Sequence, residues 1–406
     1  MNAHIFLPLA VLVVSQATFA QTPPPRLGPP PPPPPARNAP APGQTGGPLA
    51  GLTSAQVSAF RDGLSVFRQI EIIDSGLGPI FNDVSCIACH NAPAIGGASR
   101  RIVTRFGLTT GDHFDPLTER GGSLLQARAI DPAFREIIPP EANTVARRVT
   151  TPLFGAGLID AIPDATLIAA AAAQTTDGVH GRVSLVNDVT TGSQRVGRFG
   201  WKAQQATLLA FAADAYVNEM GITNRFFPEE NAPNGNTALL ARADQIQDPE
   251  DQVDATSGKG DVDRVADFMR LLAAPVRKPA NATILAGERT FTSINCTACH
   301  TPALTTGVSP VAALANKNVP LYSDLLLHDM GTLGDGITQG TAGPRDMRTA
   351  PLWGLGLRQV YLHDGRTSSL DAAIKAHDGE ATAARTRYTQ LPDAQQKQLL
   401  AFLQSL

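Results

Sequence analysis

Along this chain, apolar residues recur mainly at intervals of three and four, the period of helices that bury one face. Beyond Thr53 the series runs Val57, Phe60, Leu64, Phe67, and the Thr53 hydroxyl suits an N-cap. Residues 201–220 read as a helix ended by Gly221, and residues 261–272 as one stopped by Pro275. Residues 283–295, 370–376 and 391–403 carry the same period. Strand-like alternation is scarce, so the pattern predicts a mainly α fold. Residues 231–259 are polar and acidic with little periodicity. They read as a surface loop whose Asp side chains are candidate calcium ligands, with plain solvation as the alternative.

Composition changes this picture at the two ends of the charge and hydropathy scales. The 406 residues carry a formal charge of −3 with no basic cluster, which argues against a nucleic-acid partner. Residues 1–20 are apolar and end in small residues, with Thr18 and Ala20 flanking a cleavage point. They read as a signal peptide, although no Lys or Arg precedes the apolar run. That run is too short for a stable span, so no transmembrane segment is expected in the mature chain. No Cys follows it to take a lipid. Residues 21–50 form a proline-rich linker without a core of its own. The remainder is long enough for two cores, divided here into 51–280 and 281–406.

All four cysteines fall in two copies of CxxCH: Cys86, Cys89, His90 and Cys296, Cys299, His300. This spacing is that of covalent c-type haem attachment, in which two thiols add to the vinyl groups and the adjacent His ligates iron. A four-thiolate zinc site is the alternative, but Cys89 and Cys296 stand 207 positions apart and zinc does not require the His. A redox dithiol is the other, without a βαβ context to support it. With every thiol used, no disulfide is expected, even after export to the periplasm. A second pair of strings repeats too. RVTTPLFGAGL begins at Arg148 and RTAPLWGLGL at Arg348. Pro152 follows His90 by 62 positions and Pro351 follows His300 by 51, as expected of a duplicated unit whose glycines let a loop pass close to a flat cofactor.

From about Gly78 the chain resembles the di-haem cytochrome c peroxidase superfamily, and within it the di-haem oxidoreductases of peroxidase type. The strings that carry the resemblance are GPIFNDVSCIACHNAPAIGG, GRFGWKA, EMGIT, YSDLLLHDMG, RTAPLWGLG and YLHDGR. Rubber oxygenases and the tryptophan-oxidising maturase of methylamine dehydrogenase are more distant likenesses. The resemblance implies two cytochrome c-like domains, each helical around one covalent haem, with long loops.

It further implies a sixth ligand for the second haem fourteen positions beyond His363, which is His377, with Met330 as the rival. Corresponding counts for the first haem reach Gly178 and Phe106, neither a ligand, so that iron is expected to be open unless His113 or His180 caps it. Trp201 takes the place of a bridging Trp between the haems. Trp353 is expected to pack on a haem, and His363, His328 and Arg348 to hydrogen-bond propionates. The family's distal Gln and Glu count to Pro163 and Ala173, which cannot move protons; Asp160 and Glu141 are the substitutes considered. The expected activity is that of a periplasmic peroxidase-like enzyme with the first haem catalytic and the second a relay. Its partners would be peroxide or dioxygen and a small soluble donor such as a cytochrome or cupredoxin. An oxygenase or oxidative protein-modifying enzyme, and a non-enzymatic di-haem electron carrier, are the alternatives.

Overall fold

A computed structural model describes residues 40–174 and 177–406. The signal-peptide reading and most of the linker lie outside the described residues. Two helix pairs organise the molecule. In the first, α1 (Ser54–Phe67) crosses α3 (Asp261–Leu271), while α2 (Leu208–Ala215) also packs on α3. In the second, α4 (Ala282–Ser293) crosses α6 (Asp393–Leu403), with the short α5 (Leu370–Lys375) alongside. Thr53 caps α1 through a reciprocal bond pair with Gln56.

The two crossings share one device. Gly63 of α1 lies against the Arg264 carbonyl, and an added Cβ would also meet Phe268 Cβ at 2.9 Å. Gly287 of α4 lies against the Gln398 carbonyl, with Phe402 Cβ at 2.8 Å from an added Cβ. Four residues after each glycine stands a Phe, one helical turn on. Phe67 packs on Phe268 at 4.6 Å and Phe291 on Phe402 at 5.3 Å between centroids. The duplication is therefore written in helix packing as well as in the repeated strings.

Three features depart from the sequence reading. The helix expected from residue 201 starts only at Leu208, where the Thr207 hydroxyl accepts from Ala210 N–H, and it ends in a π turn, Tyr216–Met220, before Gly221. Part of the linker is packed: Gly46–Leu49 is buried, Leu49 N–H donates to Leu271 O and Ala273 N–H to Gly47 O. Finally, a sheet joins β1 (Ile102–Thr110) to β2 (His113–Asp115), β3 (Leu124–Leu125) and β4 (Thr144–Val149), all antiparallel to β1. Along β4 the exposed Val145 and the buried Arg148 invert the usual alternation, which is why period-2 reading misses it. Register pairs Arg105 with Ala146 and Val103 with Arg148, so both arginines share one face. Among the described residues no helix is long and apolar enough to cross a membrane.

Replacing Gly287 by Ala should lower the stability of the haem-loaded protein by roughly 1–3 kcal/mol through overpacking. Urea unfolding reads this directly, and an unchanged midpoint would mean that the crossing is not tight.

Candidate functional site

The second CxxCH follows α4 directly. His300 donates Nδ1–H to the Tyr322 carbonyl at 3.0 Å, which leaves Nε2 as a lone-pair donor. His377, just past α5, does the same to Ala373 O at 2.8 Å. The two rings face each other with centroids 6.5 Å apart. That separation leaves room for one metal ion between the two free nitrogens at bonds of about 2 Å each. Burial pulls the pKa of His300 down to about 4, with His377 adding to it, and burial lowers His377 as well; both rings are therefore neutral, the form that ligates. Around them opens a cavity of about 210 Å³, lined by Cys296, Cys299, Met330, Trp201 and His363 among others.

The first CxxCH is a single helical turn, Cys86–Cys89. His90 donates Nδ1–H to Gly97 O at 3.0 Å. Phe67 lies 6.1 Å from its ring, as Phe291 lies 6.2 Å from that of His300. No second imidazole pairs with His90 among the described residues: His113 and His180 are exposed, Phe106 is in the sheet core, and Gly178 is in a left-handed turn. Burial raises the thiols of Cys86, Cys89 and Cys296 to about 12. Reactive dithiols need the opposite shift. Nor do the cysteines gather: among the described residues the one cluster of potential metal ligands is Glu230, Asp248 and Glu250. The four-thiolate zinc alternative is thereby overturned.

Residues 140–406 match the family described as "Di-haem oxidoreductase, putative peroxidase". The chain belongs to this family. It is thus a haem-dependent, peroxidase-like oxidoreductase. The match includes the second CxxCH and Trp201, while the first CxxCH precedes it. No curated protein matches the sequence. Among solved structures the oxidoreductase is similar to hydrazine synthase of Kuenenia stuttgartiensis (13% identity, 90% of this chain and 95% of that one, TM-score 0.38). It is similar also to the diheme peroxidase BthA of Burkholderia thailandensis E264 (13%, 86% of each chain, TM-score 0.38). A MauG-like protein associated with microbial copper homeostasis shows 15% identity over 63% of this chain and 89% of that one, with a TM-score of 0.32.

Trp201 of the oxidoreductase is buried, its Nε1–H donating to Val149 O at 2.9 Å. Its ring meets His363 edge-on at 6.3 Å. The ring nitrogens of His363 make no hydrogen bond among the described residues, and the residue lines the large cavity. Trp201 also lines a second cavity of about 40 Å³, bounded by the two repeated loops, Thr151–Ala156 on one side and Ala350–Trp353 on the other. Here the sequence reading of the loop glycines changes. Gly155 adopts φ +70° against the Trp353 indole, which an added Cβ would meet at 2.7 Å. Loop packs on loop, and Trp353 borders the smaller cavity.

Other expectations land elsewhere. Asp160 accepts from Leu208 N–H at 3.2 Å and sits 3.8 Å from Arg270; it anchors the start of α2. Glu141 is half-exposed and paired with Arg120 at 2.8 Å. Neither lines the two cavities. His328 spends both ring nitrogens on carboxylates, Nε2 on Asp324 at 2.9 Å and Nδ1 on Glu380 at 2.8 Å, so none remains for a propionate. The acidic stretch brings Asp248 and Glu250 to Glu230, with the Thr223 hydroxyl donating to Asp248 and Glu250.

A residue that counting missed is Glu219, in the string EMGIT. Its backbone carbonyl accepts from Asn82 and Asp83 N–H, four and three residues before Cys86. Its Oε2 accepts from Asn82 Nδ2 at 2.8 Å. Glu219 is the first charged neighbour of the Cys89 thiol, and Arg105 faces both Glu219 and Asp214. On an α-helix residues five apart lie about 140° around the axis; the π turn, with its i→i+5 bonding, brings Glu219 round toward Asp214. Burial raises the carboxyls of Glu219 and Asp214 alike.

A buried charge cluster separates the regions. Asp335 takes Arg148 Nη2 at 2.7 Å on one oxygen and Lys202 Nζ at 2.9 Å on the other. Burial pushes its carboxyl pKa up, but Arg148 and Lys202 outweigh this and hold it below the usual range. Its contribution to stability is full above the unfolded carboxyl's pKa of about 3.9 and is lost as pH falls through the lower folded value. Asp335→Asn leaves two buried cations facing each other and should cost roughly 3–5 kcal/mol at neutral pH. Denaturant titration at neutral and acidic pH checks it: the gap between wild type and variant should close on acidification.

Proposed function

We propose that this chain is an exported, periplasmic di-haem c-type oxidoreductase that reduces peroxide with electrons from a small soluble donor. Its two cytochrome c-like units would be 51–280 and 281–406. One haem would be held by Cys86, Cys89 and His90, the other by Cys296, Cys299, His300 and His377. The donor set suits such groups: paired neutral thiols next to a neutral imidazole whose Nδ1 is already committed. The first haem, held by His90 alone, would supply peroxide chemistry, and the second, held by His300 and His377, would supply electron transfer.

The observation that carries this division is the asymmetry of the histidines. His300 faces His377 at 6.5 Å, whereas no second imidazole pairs with His90 among the described residues, although each of the two has a Phe beside it. Trp201, buried and edge-on against His363, would pass electrons between the two sites in this reading. Glu219 is the proton-handling residue in this reading, in place of Asp160 and Glu141. Burial raises its carboxyl pKa and Asn82 donates to Oε2, so Oε1 is the atom that would exchange a proton with peroxide.

Two measurements test the reading. Resting protein should show one high-spin and one low-spin ferric centre by electron paramagnetic resonance, and His377→Ala should convert the low-spin signal while leaving the other. Two low-spin centres in wild type would favour the electron-carrier alternative. Glu219→Gln should lower peroxide turnover with a reduced cytochrome about 10²–10⁴-fold without altering either spin state; unchanged turnover would return the proton to another group.

A further inference from the structure

A buried phenol stands in the wall of the large cavity. Tyr388, in the helix Thr382–Gln390, has no exposed surface and lines that cavity with Cys296, Cys299, His300 and His377. Its hydroxyl donates to Asp371 Oδ1 at 2.8 Å. Asp371 lies in the first turn of α5, the helix whose Ala373 carbonyl takes His377 Nδ1–H. The other Asp371 oxygen accepts from Lys375 Nζ at 2.8 Å. Both charged side chains reach solvent, 36% exposed at Asp371 and 50% at Lys375. Lys375 and then Tyr388 hold the Asp371 carboxyl below its usual range, so it is ionised. Of the four tyrosines in the chain, Tyr388 alone lines the large cavity and also gives its hydroxyl to a carboxylate. Tyr361 lines it without a carboxylate partner among the described residues, Tyr322 donates to Glu288 outside it, and Tyr216 lines neither cavity.

A phenol that loses one electron becomes a strong acid. Inside an apolar wall the resulting cation is costly unless its proton leaves with the electron. The Tyr388–Asp371 bond supplies that route, because an ionised carboxylate is an acceptor with room for a proton. The buried ring then stays neutral throughout. The change in charge appears at Asp371 beside Lys375, where both side chains meet water. We propose that Tyr388 and Asp371 form a proton-coupled redox pair that passes single electrons between the second site and the surface. This rests on the peroxidase reading. One electron leaves the Tyr388 ring toward the second site, the phenolic O–H bond breaks, and the proton forms a new O–H bond on Asp371. The tyrosyl radical is restored by one electron from the soluble donor and by the same proton returning from Asp371. Peroxide is the final oxidant and takes two electrons and two protons on its way to water. The pair therefore cycles twice per peroxide, and the two protons come from solvent rather than from Asp371.

The test uses haem-loaded ferric protein, with covalent haem first verified on a denaturing gel. Samples are frozen at intervals after adding hydrogen peroxide and read by electron paramagnetic resonance. Wild type should show a tyrosyl radical beside altered iron signals, and its splitting should narrow in protein grown on tyrosine deuterated at the β carbon. Tyr388→Phe should remove the radical and keep both resting iron signals, whereas Tyr361→Phe should keep the radical. Asp371→Asn should slow its appearance about 10²-fold or more; this variant carries the comparison should Tyr388→Phe fail to mature. A hydroxyl that only holds α5 in place predicts no radical to lose. Altered iron signals without a tyrosyl radical in wild type, a radical undiminished in Tyr388→Phe, or one equally fast in Asp371→Asn overturns this proposal alone. Protein without haem, or iron signals that peroxide leaves unchanged, overturns the peroxidase reading and this proposal with it.

Discussion

Three histidines of this protein commit the same ring nitrogen to the backbone. His90, His300 and His377 each donate Nδ1–H to a carbonyl, at Gly97, Tyr322 and Ala373. This fixes the tautomer and aims Nε2, and a ring aimed this way serves as a ligand without further rearrangement. The rest of the structure can be understood as what holds those carbonyls still. Tyr322 is the clearest case. Its backbone sits at φ +51°, a strained position for a bulky residue at a cost of order 1–3 kcal/mol. Its ring is wedged edge-on against Phe291 and Phe402, and its hydroxyl reaches Glu288 and Arg277. Those four partners over-determine the residue, so the strained carbonyl stays pointed at His300.

Holding the carbonyls requires the helices, and the helices approach closely because of two glycines. Gly63 and Gly287 allow backbone to touch backbone, and the aromatic one turn later on the same helix then packs behind the CxxCH imidazole. Thus one local rule, Gly followed four residues on by Phe, is used twice to seat a histidine. What differs is what stands near each CxxCH. The second has α5 and His377 facing His300, while near the first the sheet and the π-turned end of α2 carry Arg105, Asp214 and Glu219.

The helical part was legible because its signals are local. Thr53 and Gln56 cap α1 as their spacing suggests, and α3, α4 and α6 fall within a few residues of the periodic segments. His377 was reachable by counting, since a short helix rigidly spaces it from His363. The sheet was not, because one face carries Arg105 and Arg148 and the other pairs the exposed Val145 with the buried Phe106. A pattern that reports burial through hydrophobicity cannot register charges that are buried for the sake of a site. The same holds for Glu219: its string was visible, but its position depends on the π turn, which shifts the face that a 3.6-residue period would assign.

The charges between the two regions follow from this arrangement. Arg148 and Lys202 share Asp335, leaving one cation in excess, and Arg105 and Arg358 add two that no carboxylate among the described residues contacts directly. A protein core does not tolerate such a surplus unless anions are part of the finished structure. Trp201 lines both cavities with Arg358, its N–H tied to Val149 O and its own carbonyl to Arg348 N–H. The surplus therefore opposes a positive charge on the indole until negative groups enter the cavities around it. On the proposed assignment, filling the cavities does two things at once: it neutralises the surplus and makes oxidation of Trp201 less costly. The bridge between the sites would then become competent only when both sites are occupied.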